Sequence, residues 1–153
     1  MKPKFPIISI YKKRGLDIIQ SEAIWKKATV LAVLEGNKNS IAFDMEGKKW
    51  TYEFKSDKVN NSLVTRFLAN TIYNPIIDIR IDWTLMEKYT LQELQNKIHQ
   101  CINSDDNILT QFVESNFLKK EISESNSFKS ILEKLNKYIF DANEDELWKE
   151  ETE

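Results

Sequence analysis

The chain has 153 residues, of which 41% are hydrophobic and 30% are charged, and its formal net charge is −2. This length suits one ordinary domain, and the composition is typical of a globular chain rather than a disordered one. A single cysteine excludes an internal disulfide and a zinc site built from several cysteines. Only three of the 22 basic residues are arginine, the usual agent of phosphate and base recognition, which disfavours nucleic-acid binding.

No apolar run approaches the roughly 18–20 residues that a membrane-spanning helix needs. The first apolar run, residues 7–11, is too short for the core of a signal peptide, and no small-residue cleavage site follows it. These observations predict a cytoplasmic protein that does not enter a membrane.

The first third of the chain predicts a small antiparallel meander. The predicted strands are residues 5–11, 16–20, 28–34, 40–45 and 49–54. Glu46-Gly47 between the last two strands predicts a hairpin. The segment before the third strand, residues 21–25, fits either a short helical turn or a loop that carries an anchoring Trp25.

A helix is predicted between Asn60 and Asn74-Pro75, and an alternating stretch, residues 76–85, follows it. The apolar members of the stretch are Ile77, Ile79, Ile81, Trp83 and Leu85, and the polar members are Asp78, Arg80, Asp82 and Thr84. A period of two with branched and aromatic residues on one side predicts a half-buried strand. We expect this strand to join the meander to the helices.

The second half of the chain predicts helices. Thr90-Leu91-Gln92-Glu93 is a capping box, in which the Thr90 hydroxyl bonds the Glu93 amide and the Glu93 carboxylate reaches back. A second helix is predicted to open at residues 104–106, with Ile108, Leu109, Phe112 and Val113 inward, and a short third element at residues 117–122. Ser127 is predicted to cap the last helix.

These elements predict the α+β class, with an N-terminal antiparallel or mixed sheet packed against C-terminal helices. We assign residues 1–142 to a single α+β domain and residues 143–153 to an acidic tail that is open to fraying. Residues 141–153 carry a net charge of −6, and the other 140 residues carry +4.

The face formed by Asp78, Arg80 and Asp82 is the most specific polar feature. Paired carboxylates suit acid–base chemistry or a metal, but at about 3.3 Å per residue the two Cα atoms lie some 13 Å apart along one strand. Arg80 can pair with either acid. A solvated face with charge pairs, or a face covered by the next helix, is therefore favoured over a partner-binding patch, and catalysis is least favoured.

Other candidate residues also have ordinary structural explanations. His99 is the only histidine and flanks the apolar side of its helix, which fits a surface or boundary residue. Asp105 and Asp106 suit the first turn of a helix, where the dipole favours acids, but they could also meet a basic partner. No Gly-rich phosphate loop, Gly-x-Ser-x-Gly elbow or His-Glu-x-x-His motif is present, so we expect no enzymatic activity.

The tail combines acids with one aromatic residue. Trp148 follows Glu144, Asp145 and Glu146 closely. The favoured interpretation is a solvated end. Docking on a basic partner surface is the alternative, with the charges speeding encounter and the ring supplying buried area.

From residue 76 onward the layout resembles small bacterial immunity proteins that neutralise polymorphic or contact-dependent-inhibition toxins. The resemblance covers residues 76–132, and it is carried by the alternating strand, Tyr89-Thr90-Leu91-Gln92-Glu93-Leu94, residues 104–112 and residues 127–132. It is a similarity of arrangement rather than of a defined motif, so no functional residue is carried over.

The resemblance implies a cytoplasmic protein that binds one cognate toxin domain and blocks it stoichiometrically, often through acidic residues when the toxin is a basic nuclease. With one histidine and no cysteine pair in the sequence, we expect no metal site, and we expect no cofactor. The candidate partner-binding residues are Asp78, Arg80, Asp82, Asp105, Asp106, Glu144, Asp145, Glu146 and Trp148. The alternatives are a non-catalytic adaptor or regulatory binding module and, less favoured, a small metal-dependent hydrolase.

Overall fold

The computed structural model describes residues 1–11, 15–35, 40–57, 59, 63–71, 74–104 and 109–140. Its strands are β1 Ile7–Tyr11, β2 Gly15–Ile19, β3 Lys27–Thr29, β4 Ile41–Asp44, β5 Lys48–Lys55, β6 Ile76–Asp78 and β7 Arg80–Lys88. Its α-helices are α1 Val30–Glu35, α2 Leu63–Thr71, α3 Leu91–Ser104, α4 Ser115–Glu124 and α5 Phe128–Leu135, with a 3₁₀ helix at Glu22–Trp25 and a π-helical turn at Asn136–Phe140. The predicted α+β class is confirmed.

Five strands form one antiparallel sheet in the order β2-β1-β4-β5-β7. The short strands β3 and β6 form a second, two-stranded antiparallel sheet. The predicted hairpin between β4 and β5 is confirmed, and Gly47 takes the left-handed conformation in its turn, with φ of 82°. Among the described strands β7 is the last of the larger sheet, with β5 as its hydrogen-bonded neighbour.

One face of the five-stranded sheet, the helix face, is covered by α3, α4 and α5. Ile8 and Ile10 of β1 and Phe43 of β4 are buried on this face. They belong to one core with apolar helix residues that recur at a spacing of three and four. These residues are Leu94, Ile98, Cys101, Ile102, Leu118, Ile122, Ile131 and Leu135. The strands beneath this helical layer are β2, β1 and β4.

The opposite face, the aromatic face, carries Trp50 and Tyr52 of β5 beside Ile81 and Trp83 of β7. Trp25 from the 3₁₀ helix covers them. Its ring centroid lies 4.8 Å from that of Tyr52 and 6.2 Å from that of Trp83, almost parallel to the latter at 14°. Residues 21–25 thus combine both predicted alternatives, because a short helical turn carries the anchoring tryptophan.

The alternating stretch 76–85 is divided between the two sheets. β6 pairs with β3 and β7 pairs with β5, and between them the Ile79 amide donates to the Lys26 carbonyl oxygen at 2.9 Å. The alternation itself is confirmed at most positions, with Ile81 buried and the four polar residues exposed. Leu85 departs from the pattern and is 41% exposed, because it lies on the edge strand. The expectation of one continuous strand is wrong.

The predicted strand at residues 28–34 is also wrong beyond Thr29. α1 begins at Val30, and the Thr29 hydroxyl accepts a hydrogen bond from the Ala32 amide at 3.2 Å. The Leu31 amide donates to Asn74 Oδ1 at 2.9 Å. Side-chain acceptors thus satisfy the first amides of the helix, which overrides the strand preference of a valine-rich run.

Side-chain caps determine where two helices of the C-terminal half begin. Thr90 Oγ1 accepts from the Glu93 amide at 3.1 Å, and Ser127 Oγ accepts from the Ser130 amide at 3.0 Å, so both predicted caps are confirmed. The Glu93 carboxylate does not complete the capping box, because it binds Lys49 of β5 at 2.6 Å. No helix in the described part of the chain combines the length and apolar composition needed to cross a membrane.

The helix predicted to open at residues 104–106 is wrong where the structure describes it. Residues 109–113 form turns and bends, and of the residues predicted to face inward Leu109 is buried whereas Phe112 is exposed. The next helix starts only at Ser115, because the Glu114 carboxylate caps it by accepting from the Asn116 and Phe117 amides at 3.0 and 2.8 Å. Asp105 and Asp106 lie outside the described residues.

Candidate partner-binding surface

The helical layer stops at β5, and Lys49 marks its limit. Lys49 pairs with Phe43 in the register, so it belongs to the helix face, where it is buried. Its Nζ lies 2.6 Å from Glu93 Oε1 of α3 and 2.9 Å from Glu87 Oε1 of β7. These hydrogen bonds, chiefly that to Glu93, raise the pKa of the Lys49 ammonium.

Beyond Lys49 the helix face of β5 and β7 is polar, and its acids and Arg80 are exposed to solvent. We call this surface the polar strip, and its residues are Thr51, Glu53 and Lys55 of β5 with Arg80, Asp82 and Thr84 of β7. Its cross-strand register is unusual, because Glu53 lies opposite Asp82 and Lys55 lies opposite Arg80. Like charges placed directly opposite each other destabilise a strand pair.

The ion pairs of the polar strip do not join residues directly opposite each other. One is diagonal between β5 and β7, and another joins β7 to the loop after β5. Lys55 Nζ lies 3.6 Å from Asp82 Oδ2 and 3.5 Å from Glu53 Oε2. Arg80 Nη1 donates to Asp57 Oδ1 at 2.9 Å. Because all these groups are more than one third exposed, each pair is worth at most about 1 kcal/mol. The charged residues of the polar strip are therefore paired, but each pair contributes little to stability.

The polar strip borders the open edge of the sheet. β7 has nine residues, and no other described strand pairs with its outer side. Leu85 and Met86 are 41% and 47% exposed there. A bulge accounts for Met86, because Lys49 pairs with Glu87 while Trp50 pairs with Leu85, leaving Met86 with no residue opposite.

The structure separates the sequence-predicted site residues. Asp78 lies in β6 of the small sheet, whereas Arg80 and Asp82 lie in β7 of the large one, so the two acids are not a cooperating pair on one strand. All three are exposed. The remaining candidates, Asp105, Asp106, Glu144, Asp145, Glu146 and Trp148, lie outside the described residues.

A buried carboxylate, Asp44, holds the turn beside this surface, and the sequence patterns above do not point to it. Asp44 Oδ1 accepts from the Glu46 and Lys48 amides at 2.9 Å each, and its Oδ2 accepts from Trp50 Nε1 at 2.8 Å. Its carbonyl oxygen accepts from the Tyr89 hydroxyl at 2.6 Å. An aspartate three residues before a turn glycine is the signal that could have found it.

Tyr89 connects the same turn to the end of β7. Its amide donates to the Gly47 carbonyl oxygen at 3.0 Å, and its ring packs edge-on against Phe43 at 5.0 Å. Burial raises the pKa of the Tyr89 hydroxyl well above its ordinary value. The β4–β5 turn, β7 and the start of α3 are thus held in one arrangement.

The aromatic face also contains a buried polar pair, Ser9 and Tyr52. Ser9 Oγ and the Tyr52 hydroxyl share a hydrogen bond of 2.7 Å, and both residues are buried. Asp17 of β2 lies opposite Ser9 in the register. Burial raises the pKa of the Asp17 carboxyl, against the opposing effect of the Ile18 amide, which donates to it at 2.8 Å.

Replacing Asp17 with asparagine should stabilise the protein at neutral pH. Because the folded-state pKa of Asp17 is raised above 3.8, the folded state keeps the Asp17 proton to higher pH than the unfolded state does. The contribution of this group to stability therefore falls as pH rises from the unfolded-state pKa through the folded-state pKa. Asparagine does not titrate and keeps an acceptor for the Ile18 amide. Urea unfolding from about pH 3 to about pH 7 should show a variant advantage that grows with pH. A constant or shrinking advantage would contradict this expectation.

His99 and Cys101 have structural positions. His99 Nε2 lies 3.0 Å from the Lys119 carbonyl oxygen and 3.2 Å from Ser123 Oγ, so it joins α3 to α4. Cys101 is a buried thiol within the helical core and belongs to no disulfide. Within the ranges that the structure describes, no group of three or more His, Cys, Asp or Glu side chains could hold a metal ion.

A scan against protein-family models, a search of curated proteins and a search of solved structures each found no match to this chain.

Proposed function

We propose that this chain is an immunity protein, which binds a cognate bacterial toxin domain and neutralises it by stoichiometric protein–protein interaction in the cytoplasm. In this proposal the protein catalyses no reaction and uses no cofactor. It rests on the resemblance of residues 76–132 to such proteins. The observation from the structure that supports it best is the polar strip beside the open edge of β7.

The polar strip suits recognition because a supported framework presents it. Trp50 and Tyr52 alternate with its β5 residues and are buried on the other side of the sheet. Asp44 and Tyr89 hold the adjoining turn. Binding therefore needs little ordering of this part of the chain, which reduces the entropic cost of association.

The partner-binding residues of the proposal fall into two groups. Arg80 and Asp82 of the polar strip give it charges of both signs, and Asp78 lies nearby in sequence on β6. The acidic residues Asp105, Asp106, Glu144, Asp145 and Glu146, together with Trp148, form the second group. A basic nuclease domain is the kind of toxin that this second group would attract.

Co-expression with the toxin domain encoded by the adjacent gene tests the proposal. Cells that express the toxin should survive when this chain is also expressed, and the two proteins should elute from gel filtration as one complex. If the neighbouring gene encodes no toxin, and no toxin is neutralised, the proposal is wrong. A stable complex with a non-toxic partner would instead identify an adaptor.

Deleting residues 143–153 should slow association with a basic toxin domain. The deletion removes six acids and one lysine, so the net charge changes from −2 to +3. Loss of electrostatic steering should lower the association rate about tenfold at low salt and much less at high salt. Stopped-flow fluorescence measures the rate.

A matched full-length variant separates charge from the aromatic ring of the tail. It replaces Glu144 and Glu146 with glutamine and Asp145 with asparagine, and it keeps Trp148. If steering is responsible, this variant should lose part of the rate in proportion to the charge removed. An unchanged association rate at low salt in both variants would remove the tail from the partner-binding surface.

A further inference from the structure

The outer side of β7 offers hydrogen-bonding backbone groups to an additional strand. β7 is long for an edge strand, with nine residues, and no other strand in the described ranges covers it. An exposed edge is a template for pairing with another chain. Its two exposed apolar residues, Leu85 and Met86, add a contact area at one end.

The charges beside this edge form two rows that cross both strands. Lys55 and Arg80 make a positive row, and Glu53 and Asp82 make a negative row two residues further along β7. The ion pairs Arg80–Asp57 and Asp82–Lys55 both reach toward β5 rather than toward the open edge. A strand added to β7 would place one side chain directly opposite Arg80 and another opposite Asp82, within about 4.5–5.5 Å between Cβ atoms.

We propose that the partner adds an antiparallel strand to the edge of β7, with an acidic residue opposite Arg80 and a basic residue opposite Asp82. This inference rests on the proposed function, because it identifies how the toxin domain is recognised. Every strand pair in the sheet is antiparallel, and antiparallel pairing is slightly the more stable kind. Since the added strand runs opposite to β7, its sequence from N- to C-terminus has a basic residue, one intervening residue and then an acidic residue.

The same geometry specifies the residues between and beside the charges. The residue between base and acid lies opposite Ile81, on the aromatic face, where an apolar side chain continues the core. The positions opposite Trp83 and Leu85 lie on that face too, and we expect them to be apolar. The recognised segment is therefore an alternating strand with one defined charge order.

A second copy of this chain fits the charge order but not the geometry. β7 itself contains Arg80-Ile81-Asp82, which is base, apolar, acid. Pairing Arg80 of one copy with Asp82 of another would overlap β7 with β7 only over residues 80–82, because the chain leaves the sheet at Ile79 to join β3. Three residue pairs are too few to hold two separate chains together, so the occupant is a different protein.

Two synthetic peptides test the inference on the full chain. The matched peptide, Val-Thr-Val-Lys-Val-Glu-Thr, carries the expected charge order, and the swapped peptide exchanges only lysine and glutamate. We expect the matched peptide to bind about tenfold more tightly and to shift the NMR amide signals of residues 80–88. Equal affinity of the two peptides, no binding of either, or shifts confined to other elements would overturn the inference.

The double variant R80D/D82R provides the reciprocal control. It should prefer the swapped peptide by about the same factor, and thermal unfolding checks that it folds. If it does not fold, the two peptides on the wild-type chain still decide the question. Toxin neutralisation by the wild type and the double variant alike would refute edge pairing and leave the immunity function standing. A preference for the matched peptide without neutralisation of any toxin would support edge pairing and refute the immunity function.

Discussion

Replacing Asp44 with alanine is expected to lower the free energy of unfolding by about 2–4 kcal/mol. The Asp44 carboxylate is fully buried, and it accepts hydrogen bonds from the Trp50 indole and from the Glu46 and Lys48 amides. A buried donor that loses its acceptor costs about 1–3 kcal/mol, and water can reach some of these groups. Because a domain of this size has about 5–15 kcal/mol of stability, the loss is a large fraction of the total.

Urea unfolding followed by tryptophan fluorescence measures this loss. Glu46→Gln is the matched control, because Glu46 is an exposed acid in the same turn, and it should change stability by less than about 0.5 kcal/mol. An Asp44 variant that unfolds at the same urea concentration as this control would show that the carboxylate does not hold the turn.

Replacing Ile81 with aspartate should unfold the domain, with a loss of at least about 4 kcal/mol. Ile81 is 9% exposed on the aromatic face, opposite Phe54 and in one core with Trp50 and Tyr52. The substitution removes a buried apolar side chain and places a carboxylate among the apolar and aromatic side chains of this core. Circular dichroism in the near ultraviolet should lose the signal of the packed aromatic rings.

The same new residue on the other face separates burial from strand propensity. Thr84→Asp introduces a carboxylate into the exposed polar strip of the same strand, and it should cost less than about 1 kcal/mol. Ile81→Ala should lose about 2–4 kcal/mol, which isolates the apolar contribution. A folded Ile81→Asp protein with intact ring signals would mean that this end of β7 does not belong to the core.

Local patterns predicted the parts of the fold that local interactions determine. The β4–β5 hairpin follows from its turn residues, and the α3 and α5 starts follow from Thr90 and Ser127. The break at Ile79 could not be predicted in this way. It depends on a hydrogen bond to Lys26, more than 50 residues earlier, and on the pairing of β6 with β3.

The candidate surface was predictable in its residues but not in its arrangement. The alternation placed Arg80 and Asp82 on one side of a strand. It could not show that no other described strand pairs with the outer side of β7, that Lys55 and Glu53 lie opposite Arg80 and Asp82, or that the helices stop at Lys49. Those facts depend on strand order and register, which are set by contacts between distant segments. The position of Asp44 before a turn glycine is visible in the sequence, but its burial is not, because a buried turn acid and an exposed one look alike in sequence.

The limit of the helical layer at Lys49 has a consequence for how this protein can evolve. Over residues 51–55 of β5 and 80–84 of β7, the residues of the polar strip alternate with residues that pack on the aromatic face. Substitutions at exposed positions such as Arg80, Asp82 and Thr84 therefore leave core packing untouched, and surface substitutions of this kind usually change stability by less than about 0.5 kcal/mol. A lineage can change the charge order of the polar strip one residue at a time, through intermediates that all fold, and so follow a partner whose own surface is changing.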